Sequence, residues 1–212
     1  MSAATQTGAA SGLFLLADIS GYTSFLQAVG AAHGEPPIDI EDIPPAYPLM
    51  SSLLEGIIER VVPPFTLSKL EGDAVFAFAT DADEMPRAEA MLVFLAACYD
   101  AFRTHLSSLE RALTCDCDAC SRGAKLDLKF ILHAGRFVVQ SIGGGRELVG
   151  PDVVMAHRLL KNGGAAAIGR PAYALVSDAT VVRLNIPVAA ATSVTETYDH
   201  YAPIKVSVFP LG

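Results

Sequence analysis

The stretch that most constrains the fold is LFLLADI, residues 13–19, an apolar run interrupted by one acid and followed by Ser20 and Gly21. A run of this kind closed by a Ser-Gly turn predicts a buried strand, which places the carboxylate of Asp18 at a strand end. A second segment, FTLSKLEGDAVFAFA, predicts two strands, 65–70 and 74–79, around Glu71-Gly72-Asp73. Glycine beside an acidic residue between two apolar runs is a hairpin signal, so Asp73 sits in a turn.

Helical periodicity fills the intervals. Residues 22–29 suit a short helix, and Leu53, Leu54, Ile57, Ile58 and Val61 form one stripe of another, stopped by Pro63-Pro64. Residues 88–113 are the longest helical pattern. Residues 30–48, rich in Gly, Pro, Asp and Glu, read as a loop or flap. In residues 126–133, Leu126, Leu128, Phe130 and Leu132 alternate with Asp127, Lys129, Ile131 and His133, a strand pattern. A further strand is expected over 137–142, then a glycine turn at 143–145. Pro151 suits the first turn of a helix reaching about Lys161, ended by Asn162-Gly163-Gly164. A strand at 172–176, a helix from 177 to 184 capped by Ser177, and strands at 193–198 and 204–209 complete the chain. The order implies an α+β fold with one largely antiparallel sheet covered by helices. Residues 1–11 read as a flexible tail and 12–212 as a single domain.

The 212 residues are half hydrophobic, enough to bury a core. A formal net charge of −8 argues against nucleic acid or an anionic membrane as the main partner. No apolar run reaches the roughly 18 residues of a membrane-spanning helix, and the first residues lack a signal peptide's basic and apolar regions. Four cysteines in a chain of this length do not make a disulfide framework, so a cytoplasmic protein with reduced thiols is expected.

Two groups of residues carry chemistry. A carboxylate at a strand end beside Ser20 and Gly21 can hold Mg²⁺ while the backbone amides after it face phosphate. Spacing alone equally allows Asp18 to cap the next helix and Asp73 to be an ordinary turn residue. The second group is Cys115, Cys117 and Cys120, three thiols within six residues. They suit a soft metal such as Zn²⁺, with Asp116, Asp118, Cys98 or another chain supplying a fourth ligand. A redox-sensitive dithiol and plain surface thiols are the alternatives.

Taken in order, LFLLADISGYTSFL, KLEGDAVFAF and LKFILHAGRFVVQSIGGGRELVGPDVVMAHRLLKN resemble the successive motifs of class III adenylyl and guanylyl cyclases, over residues 13–162. The Cys cluster and the H-R-L-L-K-N string bring the chain nearest to the DUF2652-type branch. The resemblance implies a ferredoxin-like βαββαβ core and a homodimer that binds a nucleoside triphosphate. It implies that Asp18, Asp73 and the Ile19 carbonyl hold two Mg²⁺ or Mn²⁺ ions, with Gly21 and Thr23 near the phosphates. Lys69 and Glu147 correspond to the base-reading pair, favouring ATP, and Arg158 to the catalytic arginine supplied by the second chain. The product would be a 3′,5′-cyclic nucleotide and pyrophosphate. Two positions depart from the family: Val154 replaces the transition-state asparagine, and Pro151-Asp152 alters the turn before the helix. A nucleotide-binding module without turnover, and a metal- or redox-sensing domain acting through the cysteines, are therefore the alternatives to a cyclase. His133 and His157 read as structural.

Overall fold

The computed structural model describes residues 8–33, 46–112, 115, 117–142 and 145–212. Strands are β1 (Gly8–Ser20), β2 (Thr66–Glu71), β3 (Ala74–Thr80), β4 (Asp127–Ile142), β5 (Gly145–Val149), β6 (Tyr173–Ser177), β7 (Thr192–Glu196) and β8 (Ile204–Pro210). Helices are α1 (Tyr22–His33), α2 (Ala46–Val61), α3 (Glu89–Ala112), α4 (Asp118–Ser121), α5 (Pro151–Arg158), α6 (Gly164–Ile168) and α7 (Asp178–Leu184). The strands form one sheet in the order β2-β3-β1-β4-β6-β8-β7, with β5 folded back on β4. Every pairing is antiparallel except β4 with β6.

Side chains alternate across β1, so both faces of the strand are buried. Leu13, Leu15, Ala17 and Ile19 join Leu128, Phe130 and Leu132 beneath α1, α2 and α3. Phe14 and Leu16 join Ile131, Phe137 and Phe76 beneath α5. The Lys129-Ile131-His133 side of β4 is thus a second core rather than a solvent face. His133 is buried there, its Nδ1 2.8 Å from Ser177 Oγ, and burial holds its pKa below the ordinary imidazole value.

The expected strands 126–133 and 137–142 are one 16-residue strand, β4. It stays continuous because β1 starts at Gly8, inside the expected tail, and pairs Gly8 with Val139 and Gly12 with Gly135. Gly135 is needed for close approach: a Cβ there would lie 2.3 Å from Asp152 Cβ. That contact lets Asp152 Oδ2 accept the Arg136 amide at 2.7 Å, so the Pro151-Asp152 variation docks the start of α5 on the sheet. The expected loop 30–48 is shortened at both ends by α1 and α2, with Pro48 accommodated in the first turn of α2. The tail before Gly8, residues 34–45, 113–114 and 143–144, and Asp116 lie outside the described residues. No helix among the described residues is long and apolar enough to cross a membrane.

Candidate functional site

Asp18 follows Phe14 and Leu16 on the α5 side of β1, at the strand's open end. Its register partners are Ala74 on β3 and Lys129 on β4. The first pairing puts it beside Asp73, whose carbonyl accepts the Ile19 amide at 3.2 Å and locks the hairpin turn to the end of β1. Burial, and then the neighbouring Asp18 charge, raise the Asp73 carboxyl above the usual carboxylate range. Tyr22, at the start of α1, lies close enough that the Asp73 charge adds to burial in raising its phenol. Gly21, at φ +90°, makes the turn between Asp18 and α1 that an L side chain would strain, and Thr23 is exposed on the first turn.

Lys129 supplies the positive charge. Its Nζ lies 2.8 Å from Asp18 Oδ2 and 3.3 Å from the Leu160 carbonyl, and the ion pair is about five-sixths buried on both sides. One of two adjacent carboxylates is therefore neutralised by the protein, and the other carries the cost of proximity. Two hard carboxylates side by side, with one charge uncompensated, suit a divalent oxygen-seeking cation such as Mg²⁺ or Mn²⁺. Lys129 escaped the sequence reading. Its parity on β4 was visible, but not the register that sets it opposite Asp18.

Lys69 and Glu147, 78 residues apart, meet with Nζ 2.9 Å from Oε2. The hydrogen bond to Glu147 raises the lysine's pKa. A bulge between Leu67 and Lys69 shifts the β2 register and re-aims the side chains from Lys69 onward. Glu147 lies on β5, a strand that the sequence pattern did not reveal. Glu71 extends the group, 3.5 Å from Lys69 Nζ and 3.2 Å from His157 Nδ1. His157 packs edge-on against Phe76, and burial lowers its pKa.

The Arg158 side chain makes no hydrogen bond or ion pair with any described residue. Its guanidinium stacks 5.4 Å from the Tyr201 ring, and its buried Nε has no partner. Val154, one turn earlier, is 45% exposed. Leu67, Leu70 and Val149 are also exposed, on the neighbouring β2 and β5. The H-R-L-L-K-N string ends α5: Asn162 donates to the Leu159 carbonyl and accepts from the Gly164 amide and the Tyr173 hydroxyl.

Far from the carboxylates along α1 lies a second cluster. His33, the last residue of α1, points Nε2 at Cys117 Sγ (3.2 Å), Cys120 Sγ (3.4 Å) and Cys115 Sγ (3.7 Å). All four ligand atoms lie within 4.8 Å of one another, a group able to hold a metal ion. The fourth member is His33, not the expected acid or Cys98. Asp118 pairs with Arg122, and Cys98 is buried on α3 with its thiol pushed up to about 11 by desolvation. The Cys120 amide bond to its sulfur is the main cause holding the Cys117 thiol down at about 6, while burial pushes Cys120 up to about 12.

Residues 50–167 match the family described as "Protein of unknown function (DUF2652)". The uncharacterized protein Rv2561/Rv2562 of Mycobacterium tuberculosis is 30% identical over 176 residues, 76% of each chain. Among solved structures, the guanylyl cyclase Cya2 superposes with a TM-score of 0.66 at 15% identity, covering 98% of this chain and 96% of that one. The adenylyl cyclase CyaB from P. aeruginosa gives 0.61 at 17% identity, covering 96% and 95%. The guanylate cyclase domain of RhGC from Catenaria anguillulae, in complex with GTP, gives 0.52 at 14% identity, covering 95% and 97%.

Proposed function

From a chain that belongs to the DUF2652 family and has the class III nucleotidyl cyclase fold, we propose a domain that binds a nucleoside triphosphate with divalent metal but has lost efficient ring closure. The observation that carries this reading is the contrast between the Asp18–Asp73–Lys129 group and Val154. In the first, two adjacent carboxylates share one lysine, leaving a negative charge that a divalent cation would balance. The second is an apolar, exposed side chain where the cyclase motif has its asparagine.

Asp18 and Asp73 would hold the metal, with the Ile19 carbonyl beside them. Bound Mg²⁺ or Mn²⁺ supplies charge for the triphosphate and lowers the pKa of a ribose hydroxyl. Lys129, held by Asp18 and the Leu160 carbonyl, keeps an ammonium at the same strand end and offsets phosphate charge. Gly21 and Thr23, in the turn that follows Asp18, would lie near the phosphates. Lys69 donates and Glu147 accepts, a pair complementary to the ring acceptor and amino donor of adenine. ATP is accordingly the favoured nucleotide.

The unpartnered Arg158 Nε and the exposed Leu67, Leu70, Val149 and Val154 support a homodimer in which α5 of one chain faces the carboxylates of the other. Arg158 would then meet phosphate across the interface. Its guanidinium could stabilise charge, but Val154 offers no hydrogen bond to the ribose. Removing one such preorganised donor costs roughly 10²–10³ in rate.

Calorimetry with Mn²⁺ and each of the four nucleoside triphosphates, followed by mass spectrometry of the mixture, tests the reading. The expected result is saturable binding, strongest for ATP, with little cyclic product and with binding lost in Asp18→Ala. Rapid formation of a cyclic nucleotide would establish an active cyclase instead. Absence of metal-dependent binding would defeat both.

A further inference from the structure

The four side chains at the end of α1 come from two separate parts of the chain: His33 from α1, and the three cysteines from the segment leading into β4. We infer that His33, Cys115, Cys117 and Cys120 form a closed tetrahedral Zn²⁺ site that ties α1 to the entry of β4. Zn–S bonds of about 2.3 Å and a Zn–N bond of about 2.05 Å at tetrahedral angles put nitrogen and sulfur about 3.5 Å apart. The His33 Nε2 to sulfur distances of 3.2, 3.4 and 3.7 Å bracket that value. Three sulfurs and one imidazole are a ligand set that selects zinc over Mg²⁺ or Mn²⁺, so the two ends of α1 would not compete for one ion.

The surroundings are those of a built site. Cys117 starts the short helix α4, and its sulfur accepts the Cys120 amide at 3.4 Å, which favours the deprotonated ligand. Cys120 is buried and Cys115 and Cys117 are partly buried, while His33 closes the exposed side. Phe25 of α1 packs over Gly123 in the turn after α4, where a Cβ would come within 3.7 Å of its ring. Four protein ligands leave no open position, so the role is structural rather than catalytic. Its reach is nonetheless functional. The 12-residue α1 spans about 18 Å, from the Gly21 turn beside Asp18 to His33, and β4 begins just after the cluster's segment with Lys129 as its third residue. A zinc ion here fixes both supports of the carboxylate site.

The test uses the full chain and no nucleotide, so its outcome is independent of nucleotide binding. Elemental analysis of the purified protein should find one zinc per chain, retained on dialysis against a weak chelator. The thiols of Cys115, Cys117 and Cys120 should resist a thiol reagent until zinc is stripped, and then react together. Replacing zinc by Co²⁺ should give the intense visible bands of tetrahedral cobalt with a thiolate charge-transfer band. His33→Ala should weaken zinc retention at least tenfold. His33→Cys should restore retention and strengthen the charge-transfer band, and because His33 is exposed neither variant disturbs the core. Stripping the metal should lower the melting temperature by about 10 °C. No zinc after reconstitution, free thiol reactivity with zinc present, a pale octahedral cobalt spectrum, or a His33→Ala protein that holds zinc as well as the parent would each overturn the site.

Discussion

The two ends of α1 carry opposite kinds of chemistry, and they differ in how the protein balances charge. At the start of the helix, two carboxylates share one lysine: Lys129 neutralises Asp18, and Asp73 is left with a raised pKa. At the end, one imidazole and three thiols converge, their ligand atoms within 4.8 Å of one another. In the first group an ammonium already supplies part of a cation's electrostatic role. The second, on the zinc reading, would gain its organisation from the ion it coordinates. An exchangeable, nucleotide-borne ion suits the first; a resident ion suits the second.

The sharpest way to break this contrast is to remove charge from the carboxylate end alone. Asp73→Asn leaves the Asp18–Lys129 pair intact but deletes the uncompensated acid. Mn²⁺ affinity should fall by at least about 100-fold, while bound zinc stays at one per chain. Calorimetry and elemental analysis on the same sample measure both. Loss of zinc in this variant would show that the two ends are one folding unit rather than two sites.

Next in size is Val154→Asn. If the carboxylate end is a complete metal site and ring closure lacks only a hydrogen-bond donor, cyclic nucleotide formation should rise by about 10². The exposed position of Val154 makes the change structurally mild. Mass spectrometry after incubation with Mn²⁺ and ATP gives the answer. A variant that binds nucleotide as the parent does and still makes no product would move the deficit elsewhere, Arg158 first.

How much of this was legible in the sequence depends on how local each feature is. Asp18 and Asp73 were visible because each sits within a few residues of a strand end or hairpin turn. The three cysteines were visible for the same reason. His33 was not: it precedes Cys115 by 82 residues, and no short spacing marks a ligand supplied by a helix end. Lys129 was half legible, since alternation assigned its face but long-range register paired it with Asp18. The unbroken β4 was hidden because Ala134-Gly135-Arg136 resembles a turn. Its partner, Gly8–Ser11, consists of small residues that read as tail; only the pairing between them makes both extended. The helix and hairpin boundaries, set by prolines, glycines and periodicity, were largely readable.

Lys129→Met sharpens the comparison further, because its effects on stability and on metal binding have opposite signs. Removing the ammonium leaves two adjacent acids at a strand end that is mostly buried. Without metal the protein should lose about 2 kcal/mol, seen as a lower urea midpoint in chelator. Free Mn²⁺ should bind several-fold more tightly, since Asp18 Oδ2 is no longer held by the amine. The stability gap between chelator and Mn²⁺ buffers should therefore widen. A variant equally destabilised in both buffers would mean that Lys129 is a packing residue and that the cation never approaches Asp18.

The smallest expected effect lies at the base-reading pair. Lys69 and Glu147 are each more than one-third exposed, so water screens their contact and little stability rests on it. Lys69→Gln keeps a donor but removes the charge that Glu147 and Glu71 share. The preference for ATP over GTP should shrink roughly fivefold, through weaker hydrogen bonding to the base edge, with melting temperature and zinc content unchanged. Competition between the two nucleotides for one fluorescent analogue measures this. An unchanged preference would detach Lys69 and Glu147 from base reading and leave them as a surface ion pair bridging β2 and β5. Nucleotide affinity would then rest on the carboxylate end of α1 alone, and selectivity would have to come from the facing chain.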